Sequence, residues 1–206
     1  LKPDEAAFHS NLGLAYRGAG DITRDLACYE AAMQLKPTWA EPHWNRSLAY
    51  LLLGDFTRGW AEFEWRNQLK PPSSRPSAGP TWDGSPLNGK TILLHYEMGF
   101  GDSIQYCRYV PVLAACENVI FEVPKWLTRL MGTLERSGRL VPRDAAKPDY
   151  DLKCPLSRLP LFAGTTLDTI PAAVPYLHAE PDAVAAWRRR LAPLNGLRVG
   201  LVWAGN

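Results

Sequence analysis

The tripeptide Leu-Lys-Pro stands at residues 1–3, 35–37 and 69–71, a step of 34 residues each time. Other positions keep that step: His9 with His43, Asn11 with Asn45, Tyr16 with Tyr50, Gly20 with Gly54 and Asp21 with Asp55. Tyr29 is matched by Phe63. A fixed period constrains the fold more than any single motif. Each unit must be one supersecondary element that cannot bury its apolar face alone, so neighbouring units stack.

Within the first unit, "AAFHSNLGLAYRGAG" is helix-forming and ends at the Gly20-Asp21 turn. "TRDLACYEAAMQL" follows and stops at Lys36-Pro37, because proline cannot continue a helix. The pattern predicts two antiparallel helices per unit. Leu12, Ala15 and Tyr16 are expected on one face, and Leu26, Tyr29 and Met33 on one face of the partner helix.

The first unit resembles the tetratricopeptide repeat through Leu12-Gly13, Tyr16, Gly20, Tyr29, Ala32 and Pro37. The second departs from it, with Arg46-Ser47 in place of Leu-Gly, Gly59 for a small alanine, and Arg66 opposite Ala32. That divergence suits a last repeat, whose outer face meets something other than another repeat. The resemblance implies repeats at 4–37 and 38–71, preceded by the tail of an earlier one, so the chain is expected to be a piece cut from a longer protein. Asn11 and Asn45 fall on the first helix of each unit, the one lining the concave face of such solenoids. In the repeats of O-linked N-acetylglucosamine transferases an asparagine ladder grips a peptide backbone, and the amide offers donor and acceptor together. Two readings of Asn11 and Asn45 therefore stand open: rungs for a bound peptide, or solvated surface residues. His9 and His43 are expected to pack, since one residue per repeat makes no metal site.

After Pro71 the run "PPSSRPSAGP" is too rich in Pro, Ser and Gly for helix or strand. A linker over 72–89, covering the seam between two parts, is the expectation. Beyond it "TILLHYE", "NVIFEV", "GRLVP" and "YDLKCP" read as strands, and "GLRVGLVW" as a last one. Helices are expected from Asp102 to about Ala115, across "PKWLTRLMGTLERSG", and across "EPDAVAAWRRRLAPL", with a helical turn at "SRLPLFAG". The fold class is thus α plus α/β: helical hairpins, then a Rossmann-like parallel sheet over 90–206 covered by helices on both faces.

In such sheets ligands gather at the carboxyl ends of the strands. "EMGFGDSIQ", Glu97 to Gln105, lies there. Asp102 followed by Gln105 is a capping-box pattern, and Gly99 and Gly101 would allow positive φ in the turn. Neither a dinucleotide fingerprint nor a phosphate loop with its lysine is present. The substrate-facing reading of Glu97, Gly99, Gly101, Asp102 and Gln105 and the bare-cap reading are compatible, one carboxylate oxygen serving each task.

"WDGSPLNGKTILLHYEMGFGDSIQYCRYVPVL", "YDLKCPLSRLPLFAGTTLDTIPAAVPYL" and "LRVGLVWAGN", with "RGWAEFEWR" before them, resemble bacterial proteins that join tetratricopeptide repeats to a glycosyltransferase-like region. The catalytic part is similar to the ADP-heptose-dependent heptosyltransferases. The resemblance implies the amino half of a two-domain (GT-B) transferase, with the chain ending at the start of the carboxyl half. It also implies a sugar transferred from a nucleotide-sugar donor to an acceptor that the repeats recruit. Asp102 maps onto the aspartate proposed as the base for the acceptor hydroxyl, and the donor is a substrate, with no cofactor implied. The piece alone is expected to be inactive. The alternative is an interaction scaffold whose transferase-like part does no chemistry.

A formal net charge of +2 is too small to argue for a nucleic-acid or membrane-surface partner. No apolar run approaches the ~18 residues of a membrane span, and no metal-ligand spacing occurs. Cys28, Cys107, Cys116 and Cys154 form no C-x-x-C pair, which fits a reducing, cytoplasmic setting with each thiol a small buried hydrophobe. Trp60 and Trp65 are expected to pack the last repeat on the second part. His95 reads as a core residue, and "WRRRL" (187–191) as a solvated face.

Overall fold

A computed structural model describes residues 5–69, 79–113, 118–135, 138–146 and 148–201. Residues 1–4, residues 70–71 at the end of the second expected repeat, residues 72–78 of the expected linker, Cys116 and the last residues of the expected final strand lie outside them. Two helical hairpins open the chain: α1 (Ala6–Gly18) with α2 (Ile22–Leu35), and α3 (Ala40–Leu52) with α4 (Phe56–Phe63). A 3-10 segment, Glu64–Gln68, extends α4.

The 34-residue step reappears in the backbone of the two turns. Gly20 and Gly54 take φ of 78° and 80°, the left-handed conformation that ends a helix most cheaply in glycine. The amide of the next residue then reaches back to Tyr16 in one turn and Tyr50 in the other, at 2.9 Å both times. Those next residues, Asp21 and Asp55, also open the following helices, their carboxylates accepting from the amides of Arg24 and Arg58 at 3.1 Å. One Gly-Asp pair thus closes one helix and starts another.

The packed face of α1 differs from the expected one. Ala6, Ser10 and Gly13 are buried, whereas Leu12 and Ala15 are exposed and Tyr16 half-buried. Small residues win because the large Tyr29, fully buried on α2, needs room. A Cβ on Gly13 would stand 2.7 Å from its ring. Arg17 then ties the layers together, donating to the buried Asp25 at 3.0 Å, to the Tyr29 hydroxyl at 3.0 Å, and to the main-chain oxygen of Asn45 on α3.

The second part is a four-stranded, all-parallel sheet of β1 (Ile92–His95), β2 (Val119–Val123), β3 (Arg139–Pro142) and β4 (Leu152–Pro155), in the order β3-β2-β1-β4. With the helices it makes a mixed α/β fold, and all four strands coincide with expected runs. On one face Ile92, Leu94, Val119, Phe121 and Val123 join a large core with Trp60 and Phe63 of the helical hairpins, so the two parts share one apolar interior. The described end of the expected linker belongs to the sheet. Thr81 bridges Lys153, Trp82 donates its amide to the Lys153 oxygen at 2.8 Å, and Trp82 and Leu87 are buried.

Other expectations need correction. The second face of the sheet carries Leu93, Ile120 and Val141 with Tyr150, and no described helix joins that cluster. The helix expected from Asp102 begins earlier and is shorter: α5 (Phe100–Tyr106) passes into a 3-10 segment, Cys107–Leu113, where Pro111 lacks the amide an α-helix requires. Among its described residues the run from Pro124 gives a 3-10 turn and α6 (Thr128–Met131), which ends at Gly132, a poor helix former. α7 (Leu159–Phe162) and α8 (Pro181–Leu191) fall where expected. Residues 197–201 form no strand, and Leu197, Val199 and Leu201 are exposed, because β-propensity needs a neighbouring strand to pair with.

Candidate functional site

The site begins where β1 ends. Gly99, not Asp102, is the N-cap of α5, and its φ of −82° is ordinary. Asp102 sits three residues inside the helix, where its Oδ2 accepts from the Gly99 amide at 2.8 Å. It therefore plays the reaching-back part that the sequence assigned to Gln105. The Ser103 amide and hydroxyl both donate to the Gly99 oxygen at 3.1 Å, closing the turn. Neither Gly99 nor Gly101 has positive φ, and a Cβ on Gly101 would meet nothing within 4 Å. The positive φ that these two glycines would allow is not used in this loop.

Asp102 keeps one oxygen free. Oδ1 accepts no hydrogen bond, and no cation pairs with the carboxylate, among the described residues. Asp102 lines a small recess of about 10 Å³, room for about one water molecule, with Tyr96, Glu97, Ser103, Tyr106 and Ser157. Burial, and then the negative charge of Asp102, push the Tyr106 phenol up to about 12, so it stays a neutral hydrogen-bond donor.

The wall opposite Asp102 is built across the seam between the two parts. Arg66, from the 3-10 extension of α4, is only 7% exposed. Its Nη2 donates to Glu97 Oε2 at 3.0 Å and to Ser157 Oγ at 2.8 Å. Its Nη1 donates to Glu64 Oε1 at 2.7 Å and to the Phe63 oxygen at 3.0 Å. Ser157, just past β4, donates its hydroxyl hydrogen bond to Glu97 Oε2 at 2.5 Å. Arg158 Nε stands 2.5 Å from Glu64 Oε2, a charge contact without hydrogen-bond geometry. Arg66 and Ser157 both hold Glu97 through Oε2, and its Oε1 accepts no hydrogen bond among the described residues.

The loop residues divide between two depressions. Glu97 and Asp102 line the recess, whereas Gly101 and Gln105 line a separate groove on the other side of α5. Arg66 and Ser157 went unassigned in the sequence reading. The signal for Arg66 was present, since it breaks the repeat pattern at the counterpart of Ala32. Ser157 lies just beyond a parallel strand, where such sheets place polar site residues.

Among the remaining candidates, Asn11 is exposed but Asn45 is 4% exposed, so the two rungs are not equivalent. His43 packs, as expected, stacking on Trp65 at 3.8 Å and bonding Glu62 at 3.2 Å and the Pro37 oxygen at 2.8 Å. His9 is half-buried. Trp60 meets Tyr106 edge-on at 6.1 Å across the seam, whereas Trp65 stays within the helical part on His43. Burial of His95 holds its imidazole below the usual histidine range. Arg188, Arg189 and Arg190 lie on an α8 that buries no residue. Cys28, Cys107 and Cys154 are free and buried. Among the described residues no helix is long and apolar enough to cross a membrane, and no group of three or more His, Cys, Asp or Glu gathers as around a metal ion.

No protein-family model matches the chain, and comparison with curated proteins returns no match.

Proposed function

We propose that this chain belongs to a glycosyltransferase in which tetratricopeptide hairpins deliver an acceptor to the amino half of a GT-B catalytic region. In this reading Asp102 is the base for the acceptor hydroxyl, and the sugar comes from a nucleotide-sugar donor held mainly by a second, carboxyl half. The observation that supports it is the divided carboxylate at the carboxyl edge of the sheet. One oxygen is fixed by the Gly99 amide, which orients the group, and the other accepts nothing among the described residues. A base needs such a free lone pair within about 3 Å of the proton it removes. The test uses the full-length protein with a panel of nucleotide sugars and hydroxyl acceptors. Asp102→Asn keeps an oxygen for the Gly99 amide but is no base. Transfer should fall roughly 100-fold or more with folding unchanged. Full activity in the variant refutes the base role.

A second reading, an interaction scaffold without chemistry, is favoured by the size of the recess: about 10 Å³, room for little more than one water molecule, against the ~300 Å³ where ligand pockets usually begin. Absence of transfer by the full-length wild type on every donor, with retained partner binding, selects this reading.

A further inference from the structure

The groove behind α5 lies outside the Asp102 recess. It offers about 400 Å³ between α4, α5 and the segment reaching Tyr176. Its walls are Phe56 and Trp60 from the helical part, Tyr109 and Tyr176 from the second part, and Arg108 and Gln105 from α5 and its 3-10 continuation. Such a wall can seat an extended chain: aromatic surfaces supply contact area at low entropic cost, and one charged group fixes orientation.

Arg108 is the unusual member. It is half-buried and stacks on Tyr176, its guanidinium carbon 4.6 Å from the ring centroid. Its Nε donates to the Gln105 oxygen at 3.1 Å and its Nη2 to the Tyr176 hydroxyl at 2.9 Å. The Tyr176 hydroxyl in turn donates to the Ile104 oxygen at 3.0 Å, so ring and guanidinium are both held in place. The other arginines around the seam, Arg46, Arg58, Arg66 and Arg158, each pair with a carboxylate. Arg108 pairs with none among the described residues. An oriented, half-buried positive charge without a counter-ion attracts an anion more strongly than a fully solvated one does.

We propose that this groove binds an acidic polypeptide segment, whose Asp or Glu side chain pairs with Arg108 while neighbouring apolar side chains lie against Phe56 and Tyr176. The polypeptide class follows from position. One wall belongs to the helical hairpins and the other to the helix that carries Asp102, so an acceptor chain recruited by the first, as the transferase reading has it, would be led along the second. The polypeptide class and the acceptor role rest on the transferase reading; the acidic preference rests on Arg108 and is read without transfer.

The test is binding of the labelled full-length protein, with no sugar donor present, to an array of short serine-centred peptides varied at each flanking position. The wild type should select Asp or Glu over Asn or Gln at one or two positions by roughly fivefold. That selection should weaken between about 50 mM and about 500 mM salt. Arg108→Gln should abolish it, and Arg108→Lys should keep its sign. Gln105→Glu, an exposed change that places a carboxylate beside Arg108, should remove it too, which keeps the test decisive if Arg108→Gln fails to fold. Asp102→Asn should bind the array as the wild type does, so loss of transfer there with intact selection separates the two proposals. An array without acidic preference, or a preference that survives Arg108→Gln or Gln105→Glu, overturns the groove. A nucleoside diphosphate, UDP or ADP, that binds in an Arg108-dependent way while the array shows no acidic preference overturns it in favour of a phosphate site.

Discussion

Arg66 is where the two parts of the chain are joined by charge, and Arg66→Met measures how much that joint holds. Methionine fills much of the same volume but leaves Glu97, whose side chain is 12% exposed, facing the seam without a cation. Breaking a buried pair by removing one partner costs about 3–5 kcal/mol. Two facts pull this case to the lower end. Glu97 keeps the Ser157 hydroxyl at 2.5 Å, and Glu64 keeps Arg158. The expected cost is about 3 kcal/mol, which at a urea slope of about 2 kcal/mol per molar lowers the midpoint by about 1.5 M. Urea unfolding followed by tryptophan fluorescence suits the measurement, because Trp60 and Trp82 both lie in the shared core. Glu97→Gln on the Arg66→Met background removes the stranded charge, so the double variant should regain at least about 1 kcal/mol. A single transition is expected, since one apolar core spans both parts. A loss below about 1 kcal/mol, or no recovery in the double variant, would refute the view that Arg66 neutralises a buried anion at the seam.

Gly13→Ala should destabilise by about 2 kcal/mol despite alanine's better helix propensity, because the new methyl meets the buried Tyr29 ring; a stabilised variant in thermal melts would overturn that packing. Burial holds the His95 pKa below its unfolded value, so the unfolded chain binds the extra proton first. Stability should therefore be complete above the unfolded pKa of about 6.5 and decline as pH falls below it, and His95→Gln should flatten that part of the profile in denaturant titrations. Burial pushes the Cys107 and Cys154 thiols up to about 12. Alkylation mapped by mass spectrometry at mildly alkaline pH should leave both unmodified until denaturant is added.

The helical half was legible because its signals are local. A glycine that must turn left-handed and an aspartate that must cap are dictated within four residues of chain, and they recur at Gly20-Asp21 and Gly54-Asp55. The four strands were legible for a similar reason, as short apolar runs bounded by turn residues. The buried face of α1 was not. Leu12 is the more apolar residue, but Gly13 is the one packed, and only the bulk of Tyr29 from another helix decides between them.

The same division runs through the candidate site. The sequence by itself determined that an acidic residue stands at the carboxyl end of the first strand, since a parallel strand followed by a glycine-bounded helix start has nowhere else to put it. Which residue caps, which oxygen stays free and what faces it depend on groups far apart in the chain. Arg66 and Ser157 meet Glu97 across separations of 31 and 60 residues, and Arg108 meets Tyr176 across 68. No periodicity or propensity encodes such meetings, because they arise only when the helical hairpins and the sheet bury their apolar faces against each other. The one trace they leave in sequence is a broken pattern, an arginine where the repeat calls for alanine, and its meaning is supplied by the carboxylate that tertiary packing brings to it.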